Sequence, residues 1–444
     1  MAVIHTTNMK RYSQRVKQRL PGGVHYNFRL PWEEEPIHFT RSKNSRLWDM
    51  DQKEYLDLYS RFGAAIIGHG HEEYIDKLKT TIDKVLCVSH CDLDAEVLEL
   101  IAQFIPSAEL IRFGLSGTEI IQNALRLARA YTGRKKFIRF AGNYHGNADN
   151  IMGGRAFSKS NPFPIDFIGD FQGTVGRADA IFQRESYILP WNNSNILEEL
   201  LIAKSEEIAA IITEPVSVNG GSIMPKKGYL QKMRDLCNQY GIVLIFDEII
   251  TGCRMGLGGA QEEFGVTPDL TTLGKAIGGG GVPVSALVGK KEIMQLLTEK
   301  KVIHAGTFNG YPLGSAAIKA TFEILSRDNA ACLQRMNDTI AHIHACLQTQ
   351  ANQIGLPLVI QGPQGCAAYH ITDQVLQTPT EYTHTIMTRD IILNTQLAKN
   401  GILVSSFSRL FPNISLNMDD VDYFEERVEA ALWATKQILD EIND

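Results

Sequence analysis

The chain has 444 residues, of which 44% are hydrophobic and 21% charged, and its net charge is -6. This is the balance of a folded globular protein, and the length suits about three domains. There is no basic block of the kind that binds nucleic acid and no acidic tail of the kind that stays disordered, and no run approaches the ~20 apolar residues that a membrane span needs.

The cysteines are Cys87, Cys91, Cys237, Cys253, Cys332, Cys346 and Cys366. Their number is odd and none form C-x-x-C, so neither a disulfide framework nor a zinc site is expected. The N-terminal stretch MAVIHTTNMKRYSQRVKQRL lacks the apolar core of a signal peptide, which makes cytoplasmic residence the expectation.

Residues 8–20 have the pattern of a basic amphipathic helix that stops at Pro21-Gly22-Gly23, a breaker cluster. Two short strand-like runs surround Trp48-Asp49-Met50-Asp51 and read as a hairpin; 72–86 and 94–104 are helical by periodicity. From about residue 108 the pattern changes. Apolar runs at 110–115, 136–141, 208–213 and 242–250 alternate with helical patterns at 119–132, 196–206 and 228–240. Continuous apolar strands separated by helices mark a mostly parallel sheet covered on both faces, with ligands at the carboxyl ends of its strands. The stretch 153–192 is rich in Gly, Asn, Pro, Ser and Phe and reads as a long loop or lid. Long helices follow at 313–354, then short strands with one helix near 381–400, then an amphipathic helix at 419–442. The expected organisation is an N-terminal segment (1–60), a large α/β domain (61–312) and a smaller α+β domain (313–444).

Five segments carry chemistry. In FGLSGTE (113–119) a strand runs through Ser116-Gly117-Thr118 into a helix. Free N–H groups at the helix start, a glycine for close approach and two hydroxyls suit a phosphate, although Ser116 also suits an ordinary N-cap. In FAGNYHG (140–146), Tyr144 follows a strand and can stack on a planar group. In IVLIFDEIITG (242–252) an apolar strand runs into Asp247. A carboxylate at a buried strand end is costly unless paired, and a protonated ring nitrogen is one such partner. In LGKAIGGGG (273–281), Lys275 lies between a short strand and four glycines. That desolvated setting lowers an amine's pKa and frees it for imine formation, and the glycines argue for close approach of a ligand. In HAGTFNG (304–310), Thr307 sits in a second phosphate-type turn.

In this order, and together with PGGV (21–24), GHGH (68–71), LARAYTGR (127–134) and EPVSVNGG (214–221), these segments resemble the class III, fold-type I pyridoxal-phosphate (PLP) aminotransferases. The likeness is greatest to the glutamate-1-semialdehyde aminomutases and the β-amino-acid and β-keto-acyl aminotransferases. It implies PLP as cofactor, Lys275 as the Schiff-base lysine, Asp247 as the partner of the pyridinium, and Tyr144 and Ile249 on the two ring faces. It further implies Ser116, Gly117 and Thr118 as the phosphate cup, Asn219 near the phenolic oxygen, and Thr307 reaching the phosphate of a neighbouring subunit, hence a homodimer with shared sites.

Three departures bear on the substrate. The segment after PGGV is His25-Tyr26-Asn27-Phe28-Arg29, bulkier than the aminomutase pattern, though Arg29 matches the substrate-carboxylate arginine. The aminomutase gating pattern is missing from 153–183, and the turn SSFSRLFPNISLN (405–417), near which the aminomutases carry a site acid, has no acid here and carries Arg409. An arginine there resembles β-amino-acid aminotransferases and the modules that aminate a β-keto-acyl chain. The expectation is a ping-pong aminotransferase taking an amino-acid donor and a keto acid or keto-acyl acceptor, free or carrier-protein-tethered, with an aminomutase as the alternative.

Overall fold

The computed structural model describes residues 7–26, 36–152 and 185–443. The chain forms two compact units. The smaller comprises Met1–Glu72, Gln334–Val375 and Thr383–Asp444, and the larger Glu73–Leu333 and Leu376–Tyr382.

The smaller unit begins with the Thr7–Lys17 helix and an antiparallel meander of β1 (Phe39–Lys43), β2 (Arg46–Asp49) and β3 (Glu54–Asp57). A late two-residue strand, β13 (Ile402–Leu403), adds in parallel to β3. Its core joins Leu56 and Leu58 to Ile340, Ile343 and Leu347 of the Arg327–Gln353 helix, Leu393 and Leu397 of His384–Lys399, and Phe424 and Val428 of Met418–Asn443. Leu410 of the 405–411 turn is buried in the same cluster. A small ladder, β11 (Val359–Gln361) against β12 (Ala368–His370), completes the unit.

The larger unit is built on a seven-stranded sheet among the described residues, in the order β4-β10-β9-β8-β7-β5-β6. The strands are β4 (Leu110–Gly114), β5 (Lys136–Phe140), β6 (Ser186–Leu189), β7 (Ile208–Thr213), β8 (Val243–Asp247), β9 (Leu270–Leu273) and β10 (Ser285–Gly289). β10 runs antiparallel to both of its neighbours, and the ladder from β9 to β6 is parallel. β7 (IAAIIT) and β8 (VLIFD) are buried at every position, as strands covered on both faces must be.

The Gly117–Thr132 helix shows how local sequence sets this layer. Ser116 caps its start, accepting from the Glu119 N–H at 3.3 Å, and Gly133 ends it at φ 71. Ile120, Ile121, Leu125 and Leu127 form a buried stripe against Ile212, Ile245 and Leu287 of the sheet. Each such side chain contributes about 1.5–3 kcal/mol on burial, and truncating Leu127 to Ala would cost about 2–5 kcal/mol.

The sequence reading differs from this arrangement in three places, one being that it sets 1–60 apart as a segment of its own, whereas Met1–Glu72 belongs to the smaller unit together with the C-terminal segments. It carries a single loop from 153 to 192. Residues 153–184 lie outside the described residues, but SYIL at 186–189 is a fully buried strand beside β5. The four residues Ser-Tyr-Ile-Leu between Glu185 and Pro190 are too few to show a period. It also cuts the chain at 312/313, whereas the Pro312–Leu325 helix lies in the larger unit. There Phe322 stacks on Phe104 of the Leu93–Phe104 helix, with ring centroids 5.7 Å apart and ring planes nearly parallel.

Candidate functional site

In the larger unit, four parallel strands and β4 end at one edge of the sheet, and the chemical segments leave from those ends: 115–118 after β4, 141–147 after β5, 214–219 after β7, 247–249 at the end of β8, and 274–275 after β9. This is where an open α/β sheet binds ligands.

Asp247 closes β8 and is 4% exposed. Its Oδ2 lies 2.7 Å from His145 Nδ1, and its Oδ1 accepts from Thr272 Oγ1 at 3.1 Å and the Ile249 N–H at 3.2 Å. Its carboxylate is thus held from three sides, by groups from three strand ends. The opposite imidazole nitrogen, His145 Nε2, is buried without a hydrogen-bond partner among the described residues.

The β7–β8 register pairs Thr213 with Phe246, so Glu214 leaves its strand beside Asp247. Glu214 is 3% exposed. Its Oε1 accepts from the Tyr144 N–H at 2.7 Å and from Asn219 Nδ2 at 2.8 Å, and its Oε2 accepts from the Asn219 N–H at 3.1 Å. Burial pushes its carboxyl above the ordinary carboxylate value; His145 opposes this, Asp247 adds to it, and the bonds from Tyr144 and Asn219 oppose it. Tyr144 is held by its backbone while its ring is 38% exposed. Burial, then Asp247, raises its phenol above the usual tyrosine value.

At the start of the Gly117–Thr132 helix, a Cβ on Gly117 would stand 2.4 Å from Ile249 Cδ1, and one on Gly274 would stand 3.6 Å from Ile249 Cγ1. Ile249 therefore touches both the cup segment and the residue before Lys275. Thr118 Oγ1 donates to Asn147 Oδ1 at 3.1 Å and accepts the Asn147 N–H at 3.2 Å, which draws the turn after β5 onto the helix start. The Ser116 hydroxyl accepts from Glu119, and its own proton stays available to donate.

Lys275 adopts φ 47, in the left-handed region, directly after β9. A lysine there costs about 1–3 kcal/mol and persists only where the surroundings impose it, which is a feature of functional sites. The glycine run beside it has a different cause from the one expected. A Cβ on Gly279 would meet Tyr74 at 2.6 Å, one on Gly281 would meet Tyr74 at 2.9 Å, and one on Gly278 would meet Val284 at 2.8 Å. Tyr74 Oη also donates to the Gly278 carbonyl at 2.5 Å. Those glycines make room for the protein's own side chains.

The remaining candidates are spread out. Thr307 lies in an exposed turn of the larger unit, between Ile303 (73% exposed) and Phe308 (53%). Arg29 lies outside the described residues. Arg409 belongs to the smaller unit and is 2% exposed, not a solvated loop residue. Its Nε meets Ser405 Oγ at 3.4 Å, and its guanidinium lies over Phe407 at 5.0 Å and Phe411 at 6.0 Å. Sequence reasoning passed over two central groups, His145 and Glu214. Glu214 carried nearly the same signal as Asp247, an acid at the carboxyl end of an apolar strand run.

These groups fit pyridoxal phosphate. Asp247 is a fixed, buried acceptor for a ring N–H, and Tyr144 and Ile249 offer an aromatic and an aliphatic face. The helix start from Ser116 to Thr118 offers N–H groups to a phosphate, and Lys275 supplies an amine. Among the described residues no cluster of His, Cys, Asp or Glu can hold a metal ion, and no helix is long and apolar enough to cross a membrane.

The aminotransferase class-III family model matches residues 30–432. A glutamate-1-semialdehyde 2,1-aminomutase of Thermomicrobium roseum is 34% identical over 94% of this chain and 96% of its own length. One from Nitratidesulfovibrio vulgaris strain DP4 is 38% identical over 76% of this chain and 78% of its own. Among solved structures, an omega-transaminase from Sphaerobacter thermophilus superposes with a TM-score of 0.89 at 27% identity, covering 96% of this chain and 98% of that one. With the family model spanning nearly the whole chain and a relative aligned from end to end, the protein belongs to the class-III aminotransferases and is a pyridoxal-phosphate-dependent enzyme.

Proposed function

We propose that the enzyme moves an amino group from an amino-acid donor to a keto acid or keto-acyl acceptor by a ping-pong reaction, at the β-position, within a homodimer. The observation that carries this reading is Arg409. The turn near which the aminomutases carry an acid bears here a buried guanidinium, fixed by Ser405 and two aromatic rings. A guanidinium binds a carboxylate through paired, charge-assisted hydrogen bonds, and in this reading Arg409 meets a substrate carboxylate. Arg29 offers a second charge of the same sign, so donor and acceptor carboxylates have separate partners.

The cofactor supplies a carbonyl for the donor's amine and a ring that drains electron density from the adjacent carbon. The chain does the rest. Lys275 Nζ holds the cofactor at rest, and once freed it takes the proton from the donor carbon and returns it on the other side of the reaction. Asp247, anchored by His145, Thr272 and Ile249, keeps the ring nitrogen protonated. Tyr144 and Ile249 confine the ring, Asn219 faces the phenolic oxygen, and Ser116, Gly117 and Thr118 bind the phosphate. Thr307 joins the phosphate site of the second subunit. The exposed Ile303 and Phe308 beside it support an interface there.

A second reading, an intramolecular aminomutase, is favoured by the names of the 34% and 38% identical relatives. One experiment separates the two. The holoenzyme is mixed with glutamate, glutamine, alanine or a β-amino acid, without an acceptor, and the cofactor absorbance is followed. Conversion to the pyridoxamine form by a donor, reversed by a β-keto acid or its thioester, is the expected result. If no donor converts the cofactor while glutamate-1-semialdehyde alone yields 5-aminolevulinate, the aminomutase reading replaces it.

A further inference from the structure

We propose that Glu214 is a positioning residue for the cofactor site, and that its carboxylate clamps the stacking Tyr144 and the Asn219 loop into one rigid platform beside Asp247. The inference rests on the reading of Tyr144 as the ring that stacks on the cofactor.

The platform is made of two turns that leave neighbouring strands, β5 and β7. Neither turn is regular structure, so something other than a ladder must fix their spacing. Glu214 bridges them, with one oxygen accepting both the Tyr144 N–H and Asn219 Nδ2 and the other accepting the Asn219 N–H. Asn143 answers from the opposite side. Its Oδ1 accepts the Glu214 N–H at 3.0 Å, and its Nδ2 donates to Ser217 Oγ at 2.9 Å. The two turns also approach at the backbone. A Cβ on Gly142 would fall 2.2 Å from Pro379 Cβ, and one on Gly220 would fall 2.7 Å from Pro379 Cγ, so both glycines lie under one proline ring.

Three donors and no competing acceptor make a carboxylate the required group at 214. An amide there presents an N–H₂ to at least one of those donors, so a bond is lost and a buried donor is left facing another. The least costly orientation keeps the amide oxygen on the Tyr144 N–H and Asn219 Nδ2 and turns the N–H₂ onto the Asn219 N–H, so the Asn219 loop is released and a neutral acceptor replaces the charged one that fixes Tyr144. Glu214 is also close enough to His145 and Asp247 to act on them electrostatically, so its charge is felt at the carboxylate that meets the ring nitrogen.

The test uses Glu214→Gln with two comparators, Tyr144→Ala and Asn219→Ala. PLP is dialysed out and titrated back into each protein. The readouts are the dissociation constant and the induced circular dichroism of the cofactor band, with the melting temperature of the cofactor-free form as the folding control. Glu214→Gln is expected to weaken PLP binding about tenfold or more and to reduce the induced dichroism, with the cofactor-free melting temperature close to the parent's. Asn219→Ala is expected to move both readouts in the same direction by less. If Tyr144→Ala alters the dichroism while a folded Glu214→Gln leaves both readouts unchanged, the clamp is overturned. If Tyr144→Ala itself leaves the dichroism unchanged, the stacking reading has failed first. Should Glu214→Gln not fold, Asn219→Ala decides, and unchanged binding and dichroism in that variant overturn the clamp.

Discussion

The described residues include two buried histidine–aspartate pairs of nearly the same geometry. In the larger unit His145 Nδ1 lies 2.7 Å from Asp247 Oδ2; in the smaller unit His370 Nδ1 lies 2.8 Å from Asp390 Oδ2. In each, the second carboxylate oxygen accepts a backbone N–H, from Ile249 in one case and Ile371 in the other. Their surroundings separate them. Asp390 sits on a helix whose Leu393 and Leu397 are in the core, with Tyr369 and Ile371 buried alongside. Asp247 sits at a strand end with the partly exposed Ile249, the 38% exposed ring of Tyr144, and the left-handed Lys275 just past the end of the neighbouring strand β9. The pair itself is not the sign of chemistry. An opening, a lysine on left-handed backbone and a helix start at the same strand ends mark the candidate site.

The comparison breaks most clearly at Lys275, which follows β9, the strand whose Thr272 pairs with Asp247. Lys275→Ala is expected to lower the rate of amino transfer by at least about 10³-fold, measured as single-turnover conversion of the cofactor by the best donor. The two aspartates should then part company. Asp247→Ala should cost about 10²–10³-fold in rate and weaken cofactor retention. Asp390→Ala should cost about 3–5 kcal/mol of stability, with the rate per bound cofactor near the parent's in whatever folds. Chemical denaturation and kinetics on the same preparations check both, and an inactive but fully stable Asp390→Ala protein would erase the distinction.

Gly117→Ala should have a smaller effect. Its Cβ must displace Ile249 Cδ1, now 2.4 Å from that position, at a cost of about 1–3 kcal/mol. This should show as weaker PLP binding by equilibrium dialysis. The smallest effect concerns His344, a third buried imidazole, in the smaller unit. Burial lowers its pKa to about 4 from an ordinary 6.5. Between those values the unfolded chain binds a proton that the folded one does not, so stability should fall as pH drops through that window and be fully present above it. His344→Gln should flatten the slope of stability against pH between 4 and 6.5, and an unchanged slope would contradict the assignment.

Much of the site was legible in the sequence because its physics is local. Asp247 ends an apolar run, Ser116 precedes a helix, and Lys275 follows a short strand. The parallel sheet was legible because β7 and β8 are continuous apolar runs up to their last residues, Thr213 and Asp247. What was not legible depends on long-range packing. The glycines after Lys275 answer to Tyr74, far back in the chain, and no local pattern announces that contact. β6 is too short to show a period, and the burial of Arg409 follows from a turn pinned to β12, where Ala368 bridges to Arg409. Glu214 was visible as a residue, but its three bonds reach Tyr144 and Asn219, and only the register of β5, β7 and β8 brings those turns together.

The central claim is that amino transfer is carried out at the strand ends of the larger unit, on a cofactor tethered to Lys275. Borohydride reduction of the holoenzyme, followed by peptide mass spectrometry, tests it directly. The account predicts one modified peptide, carrying the reduced cofactor on Lys275 and losing it in Lys275→Ala. Cofactor fixed to a different lysine, or a folded holoenzyme with none fixed at all, would contradict it.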